Sequence, residues 1–175
     1  MTRLCVFRVE GTTDKTFAET VIRPLIEARY ERIIVSEMSR VEKDVRKKLI
    51  YEFERFSSTV VILVDGNGRP CITASKNHAR QAFGGYPVDD LVVVVESEIE
   101  SYYLAGLSAE GAQQVSVTVS DKTSSVSKEN LRKLMKCEHA TPFLPLLYTL
   151  LEYFDVRLAR QRNRSFDYLC TRLGI

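Results

Sequence analysis

The stretch Cys5-Val6-Phe7-Arg8-Val9-Glu10-Gly11-Thr12-Thr13-Asp14 reads as a buried strand that delivers a carboxylate, Glu10, into a glycine turn, after which a helix starts. Glycine takes a bend that a Cβ would resist. Thr12 or Thr13 is placed to cap the helix, and Asp14 stands where the helix dipole favours negative charge. The device recurs twice. Val60-Val61-Ile62-Leu63-Val64 leads to Asp65 and the turn Gly66-Asn67-Gly68, and Leu91-Val92-Val93-Val94-Val95 leads to Glu96, with Glu98 and Glu100 close behind. Runs this apolar imply strands buried on both faces, as in a parallel sheet. Open α/β sheets bind ligands outside the carboxyl ends of their strands. Three strand-end acids are therefore expected to converge on one crevice.

Outward from these strands, a helix is expected over residues 14–28, with a kink or split at Pro24, which lacks an N–H. A short strand follows near 31–35. From Ser39 a long amphipathic helix is expected, with Val41, Val45, Leu49, Phe53 and Phe56 inward and Lys43, Arg46, Lys47 and Glu54 outward, ending at Ser57-Ser58. Thr73–Phe83 reads as a helix broken by Gly84-Gly85. Ser97–Leu107 reads as a helix that puts Glu96 and Glu100 one turn apart on a single face. The Ser/Thr alternation of Val115–Val119 suggests an edge strand. Helices then follow: Lys128–Lys136 capped by Ser127, a helix from Pro142 to about Leu151, Tyr153–Gln161, and Phe166–Leu173 capped by Ser165 and closed by Gly174. This order predicts an α/β three-layer sandwich with a mostly parallel sheet over residues 1–121. A helical extension, 122–175, is expected to pack on the same domain.

Composition agrees with such a domain: 175 residues, 45% apolar and 27% charged. No run approaches the roughly 18–20 apolar residues of a membrane span, so no membrane partner is expected. Residues 1–3 enter a strand with no signal-peptide pattern, which points to the cytoplasm. Cys5, Cys71, Cys137 and Cys170 are scattered; Cys5 and Cys170 read as core residues, and Cys137 with His139 is too little for a zinc site. Residues 1–121 hold 15 Lys/Arg against 18 Asp/Glu, and residues 122–175 hold 10 against 5. That split suits a metal-binding cleft beside a phosphate-binding surface, and equally a chance scatter of charge over helices.

Of the acids, Asp14 and Glu98 read as helix caps, whereas Glu10, Asp65 and Glu100 read as functional. Hard cations such as Mg²⁺ take oxygen ligands, usually one or two carboxylates with water and substrate phosphates. Such a site positions a phosphodiester and activates water. A carboxyl freed from metal serves as general acid or base when its neighbours raise its pKa. Gly66-Asn67-Gly68 lacks the spacing of a phosphate-cradling glycine loop and reads as a plain turn. Lys76, on the next helix, either reaches a phosphate or is solvated. His78 reads as structural. Arg157, Arg160, Arg162, Arg164 and Arg172 form a basic tail suited to forked phosphate contacts, or a solvated face.

Taken together, Val9-Glu10-Gly11-Thr12-Thr13-Asp14, Leu63-Val64-Asp65-Gly66-Asn67-Gly68 and Glu98-Ile99-Glu100-Ser101-Tyr102-Tyr103-Leu104-Ala105 resemble the motifs of TOPRIM-like domains, nearest to small stand-alone prokaryotic ones related to the nuclease domain of OLD-family proteins. Arg162-Asn163-Arg164-Ser165-Phe166 is similar to the tail of that group. The resemblance implies a Rossmann-like TOPRIM fold and divalent-metal phosphodiester chemistry on nucleic acid. It makes Glu10 the acid/base residue; Lys76, from its place on the helix after Asp65 and not from the resemblance, is a candidate catalytic partner. Asp65 and Glu100 become ligands of Mg²⁺ or Mn²⁺, with Asn67 and Glu96 completing the candidate set. Arg160, Arg162 and Arg164, from the basic tail and not from the resemblance, are the candidate nucleic-acid contacts. Asn67 departs from the family pattern, where a second aspartate stands, and lowers the negative charge of the site by one. The sequence thus supports a metal-dependent nuclease or, alternatively, an impaired module that binds nucleic acid or a protein. A homodimer stays open.

Overall fold

Three apolar runs and the segment after the first helix do become strands, and their pairing fixes where the acids lie. The computed structural model describes residues 4–39, 41–55, 59–136 and 142–175. Phe56, Ser57, Ser58, Cys137 and His139, and the side chains of Lys43 and Glu54, lie outside what it describes. The chain divides into two compact units, 1–94 and 95–175. The boundary expected after Asp121 thus falls inside the second unit.

The first unit is built on a four-stranded parallel sheet in the order β2-β1-β3-β4, formed by β1 (Leu4–Val9), β2 (Arg32–Glu37), β3 (Thr59–Asp65) and β4 (Val92–Val95). Its central strands are buried on both faces, as their largely apolar sequences require. Between β1 and β2 the chain runs through α1 (Thr12–Phe17), a π-helical turn (Ala18–Ile22) and α2 (Arg23–Ile26). Pro24 stands in the first turn of α2, where a missing N–H is tolerated, so the π turn and not a break absorbs it. Asp14 caps its own helix by accepting the Gly11 N–H at 3.1 Å.

Two helices follow, α3 (Lys43–Arg55) and α4 (Ile72–Ala82). Ile50, Ala79 and Phe83 pack in one cluster with Val60, Ile62, Val64, Val92 and Val94 of the sheet. Residues of opposite parity, Cys5, Phe7, Val9, Val61 and Leu63, are buried too. So are Phe17, Val21, Ile22 and Ile26 of the first helical segment, whose α1 contacts β2. The predicted stripe of α3 needs correction: Val45 is exposed, Ile50 is the anchor, and Arg46 turns inward to line a cavity.

The second unit is helical. Its centre is α5 (Glu100–Ala105), all six residues of which are buried. Around it lie α6 (Ala109–Gln114), α7 (Lys128–Leu134), α8 (Phe143–Glu152), α9 (Val156–Arg162) and α10 (Arg164–Leu173). Here the sequence misleads in three places. Residues 109–114 form a helix capped by the Ser108 hydroxyl, and Val115–Val119 has no strand structure, with Ser116 at φ 53. The helix after β4 begins at Glu100, so Glu96 precedes it in a bend and does not share a helical face with Glu100. The last helix is capped by Asn163 and not by Ser165. Ser127 caps α7 and Gly174 closes α10 at φ 71, both as expected. No described helix is long and apolar enough to cross a membrane.

Candidate functional site

The strand order places the topological switch point between β1 and β3, because the chain leaves β1 toward one edge of the sheet and later builds toward the other. Glu10 directly follows β1 and Asp65 ends β3, so both stand at that point, and both are half-buried. Burial raises the Glu10 carboxyl above its ordinary pKa, while the Arg69 guanidinium and a main-chain hydrogen bond at Asp65 pull it back. Arg69 is itself pinned, its Nη1 donating to the carbonyl oxygens of Asp65 at 2.9 Å and Gly66 at 3.2 Å. The intervening turn has Asn67 at φ 47 and Gly68 at φ 68, a left-handed pair that Asn and Gly tolerate best. Asn67 is exposed at its tip.

Beside these acids, on the face covered by α3 and α4, lies a cavity of about 310 Å³ lined by Glu10, Met38, Ser39, Arg46, Val64 and His78, among others. Its polar groups thus include an acid, a guanidinium, an imidazole and a hydroxyl. His78, read from the sequence as structural, faces this cavity. Below it, Arg8 is buried, and its Nη1 donates to Ser36 Oγ at 2.7 Å. Its Nε and Nη2 are buried without a hydrogen-bond partner. Buried unsatisfied donors cost about 1–3 kcal/mol each, more when charged, and native folds rarely keep them.

Lys76 donates from Nζ to the Asp89 carbonyl at 2.7 Å and does not line the cavity. Glu96, Glu98 and Glu100 belong to the second unit. Glu96 is exposed. The Glu98 carboxylate accepts the Lys128 N–H at the start of α7, and not a group of α5, the helix that follows it and that it was expected to cap. Glu100 is buried; burial raises its pKa, its own main-chain hydrogen bond opposes this, Glu98 adds to the rise, and Lys128 opposes it. Among the described residues no group of three or more His, Cys, Asp or Glu side chains is placed to hold a metal ion.

Two arginines of the basic tail have partners within the chain. Arg160 donates to the Asp167 carboxylate at 2.7 Å and to the Ile175 carbonyl at 2.6 Å. Arg162 donates to the carbonyls of Ala105 at 3.3 Å and Leu107 at 2.8 Å. Both tie the helices of their own unit, and Arg164 alone of the three is exposed. Burial drives the thiols of Cys5 and Cys170 up to about 12 and about 11, so neither is a nucleophile near neutral pH.

Sequence reading missed Arg8, Arg46 and Arg69. Arg8 carried a signal: an arginine inside an otherwise apolar strand is costly to bury. No family model matches the chain, and neither a curated protein nor a solved structure is significantly similar to it.

Proposed function

We propose that the first unit is a TOPRIM-like domain, acting in the cytoplasm, that hydrolyses phosphodiesters of nucleic acid with the help of a divalent cation. One observation carries this reading: Glu10 and Asp65 end two adjacent strands at the switch point of the sheet, and burial makes Glu10 a better proton acceptor than an ordinary carboxylate. The donor set fits Mg²⁺ or Mn²⁺ in its leanest form. Asp65 would hold the ion with the amide oxygen of Asn67, water and substrate oxygens filling the other positions. When bound, the ion offsets phosphate charge and polarises the phosphoryl group. Glu10 takes the proton of the attacking water as oxygen bonds to phosphorus. The bond from phosphorus to the leaving oxygen then breaks, and the proton passes back to that oxygen.

The test is incubation of the full chain with end-labelled single-stranded DNA, duplex DNA and RNA, with Mn²⁺ or Mg²⁺ and with chelator. Cleavage is expected only with metal, and Glu10→Gln is expected to slow it by about 10²–10⁴-fold. No cleavage of any substrate, or undiminished cleavage by the variant, overturns the reading.

A second reading has its own support. Asn67 stands where the family pattern has an acid, and no three-acid group exists among the described residues. On that reading the unit binds polyanions without hydrolysing them. Its mark is chelator-resistant binding that weakens with salt.

A further inference from the structure

The second unit holds a groove of about 420 Å³, within the ordinary range of ligand sites. Ala109, Ala112 and Gln113 of α6 line it, and so do Val117, Thr118 and Val119 of the run that follows that helix. Positions i, i+3 and i+4 share one helical face, and its two alanines leave room for a main chain to come close. Residues 117–120 run without turn or bend, with Val117 buried, Thr118 exposed, Val119 half-buried and Ser120 exposed. That alternation belongs to an extended chain, whose successive side chains point to opposite faces. A cavity lined by three successive residues of an extended chain lies along its edge, where main-chain N–H and C=O groups point.

This edge has no partner. Among the described residues, no group bonds the main chain of Thr118, Val119 or Ser120. The run is nevertheless fixed at both ends. The Val117 N–H donates to the Ala112 carbonyl at 2.9 Å, and the N–H of buried Thr123 donates to the Arg162 carbonyl at 3.1 Å. A held, unpaired strand edge is a template on which a second extended chain adds.

Charge narrows the occupant. Arg162 is the charged group on the lining, and the neighbouring acids Glu110 and Asp121 are not on it. Nη1 of Arg162 is engaged by the carbonyls of Ala105 and Leu107, which orients the guanidinium. Its remaining N–H groups have no partner among the described residues, on a half-buried side chain that contributes no sealed, unsatisfied nitrogen. A carboxylate is the acceptor that the free side of a guanidinium matches. A nucleic-acid strand would supply an anion for Arg162 but no main chain to pair with the edge.

We propose that this groove binds an extended acidic segment of a partner protein, which adds as a strand along Thr118 and Val119 and sets an Asp or Glu side chain against Arg162. The inference lies within the second unit and rests on neither Glu10 nor a metal, so its failure leaves the hydrolytic reading untouched.

The experiment selects short random peptides, displayed on phage, on the immobilised full chain. Enriched peptides are expected to share an acid at one position and to lack proline beside it. Made with blocked ends, they are expected to shift the amide resonances of Thr118, Val119 and Ser120 most and to slow hydrogen exchange there. Replacing the shared acid by its amide is expected to weaken binding by about tenfold. Gln113→Glu is expected to weaken it, and Gln113→Lys to tighten it, by about two- to fivefold each. Ala112→Gln, which fills the floor, is expected to weaken it by about tenfold or more. Should Ala112→Gln fail to fold, the Gln113 pair, at an exposed position, decides.

Selection that yields no shared acid, peptides that leave residues 118–120 unshifted, or Gln113 variants that bind alike overturn the proposal. So does a single-stranded oligonucleotide that shifts the same amides more strongly than any selected peptide. A wild-type dimer in sedimentation that Ala112→Gln dissolves would place a second copy of this chain on the edge, and would equally overturn it.

Discussion

Arg162 in the second unit and Arg8 in the first are both arginines drawn away from solvent, and they differ in what their guanidinium groups touch. Arg162 donates to two main-chain carbonyls, those of Ala105 and Leu107, which leave the end of α5 and have no helical partner of their own. Arg8 has one bond, to Ser36, and two nitrogens without any. The acids repeat the contrast. Asp14 and Glu98 each accept a main-chain N–H at a helix start. Glu10 also has a main-chain hydrogen bond, at Asp65, but stands half-buried at a strand end, and burial raises its carboxyl in spite of that bond. Charge type is therefore a poor guide to function in this chain. The better guide is whether the fold has already supplied the partner.

If the second unit's polar groups are structural, removing them must cost stability, and the largest loss is expected at Asn163. Its amide is fully buried and donates to Ser101 Oγ and Thr123 Oγ1, while its oxygen accepts from Ser165 Oγ and the Phe166 N–H. Asn163→Leu leaves those partners unsatisfied and removes the cap of α10, at an expected cost of about 3 kcal/mol in urea unfolding. Gly106→Ala comes next, at about 2 kcal/mol, because a Cβ there would lie 2.3 Å from the Phe154 ring, which packs edge-on against Phe166. Arg162→Met is expected to cost about 1–2 kcal/mol by freeing the two carbonyls. A neutral or stabilising result at Arg162 would erase the distinction from Arg8.

The same distinction explains what was legible in the sequence. Hydrophobic pattern announces burial, so the strands around Val6, Ile62 and Val93 and the strand-end placement of Glu10 and Asp65 could be read directly. Caps were legible where a single residue type suffices, as at Ser127 and Gly174. Asn163 was missed because Ser165, two residues on, is an equally good cap on paper, and only three-dimensional packing decides that Ser165 donates to Asn163. The alternation at Val115–Val119 imitated a strand, but β-pairing needs a neighbour, and the segment has none among the described residues. Arg46 was assigned outward by helical spacing drawn through Val45. The true inward face runs through Ile50, one position round, and carries Arg46 to the cavity. The carbonyl partners of Arg162 could not be read, because a guanidinium that binds carbonyls and one that binds phosphate are identical as letters.

The smallest effect tests Glu10 itself, through pH. Burial lifts the folded pKa of its carboxyl above the unfolded value. Between those two values the native state holds a proton that the unfolded chain has released, so stability falls as pH rises across that window. The contribution of Glu10 is fully present below the ordinary carboxylate range and is lost as pH passes upward through the folded value. At neutral pH the buried carboxylate is therefore a net cost to the fold. Glu10→Gln, which cannot ionise, is expected to be more stable than wild type at neutral pH, with a difference that closes as the solution is acidified into the carboxylate range. Urea unfolding of both proteins across a pH series reads the difference directly, with a slope of less than one proton. Asp14→Asn, four residues along, is the control: it weakens a cap that the fold uses, and it should destabilise at neutral pH. A Glu10→Gln protein that is less stable than wild type at neutral pH would mean that the main-chain hydrogen bond at Asp65 and the Arg69 charge outweigh the burial of Glu10, and would place it with Asp14 and Glu98 and not at a site.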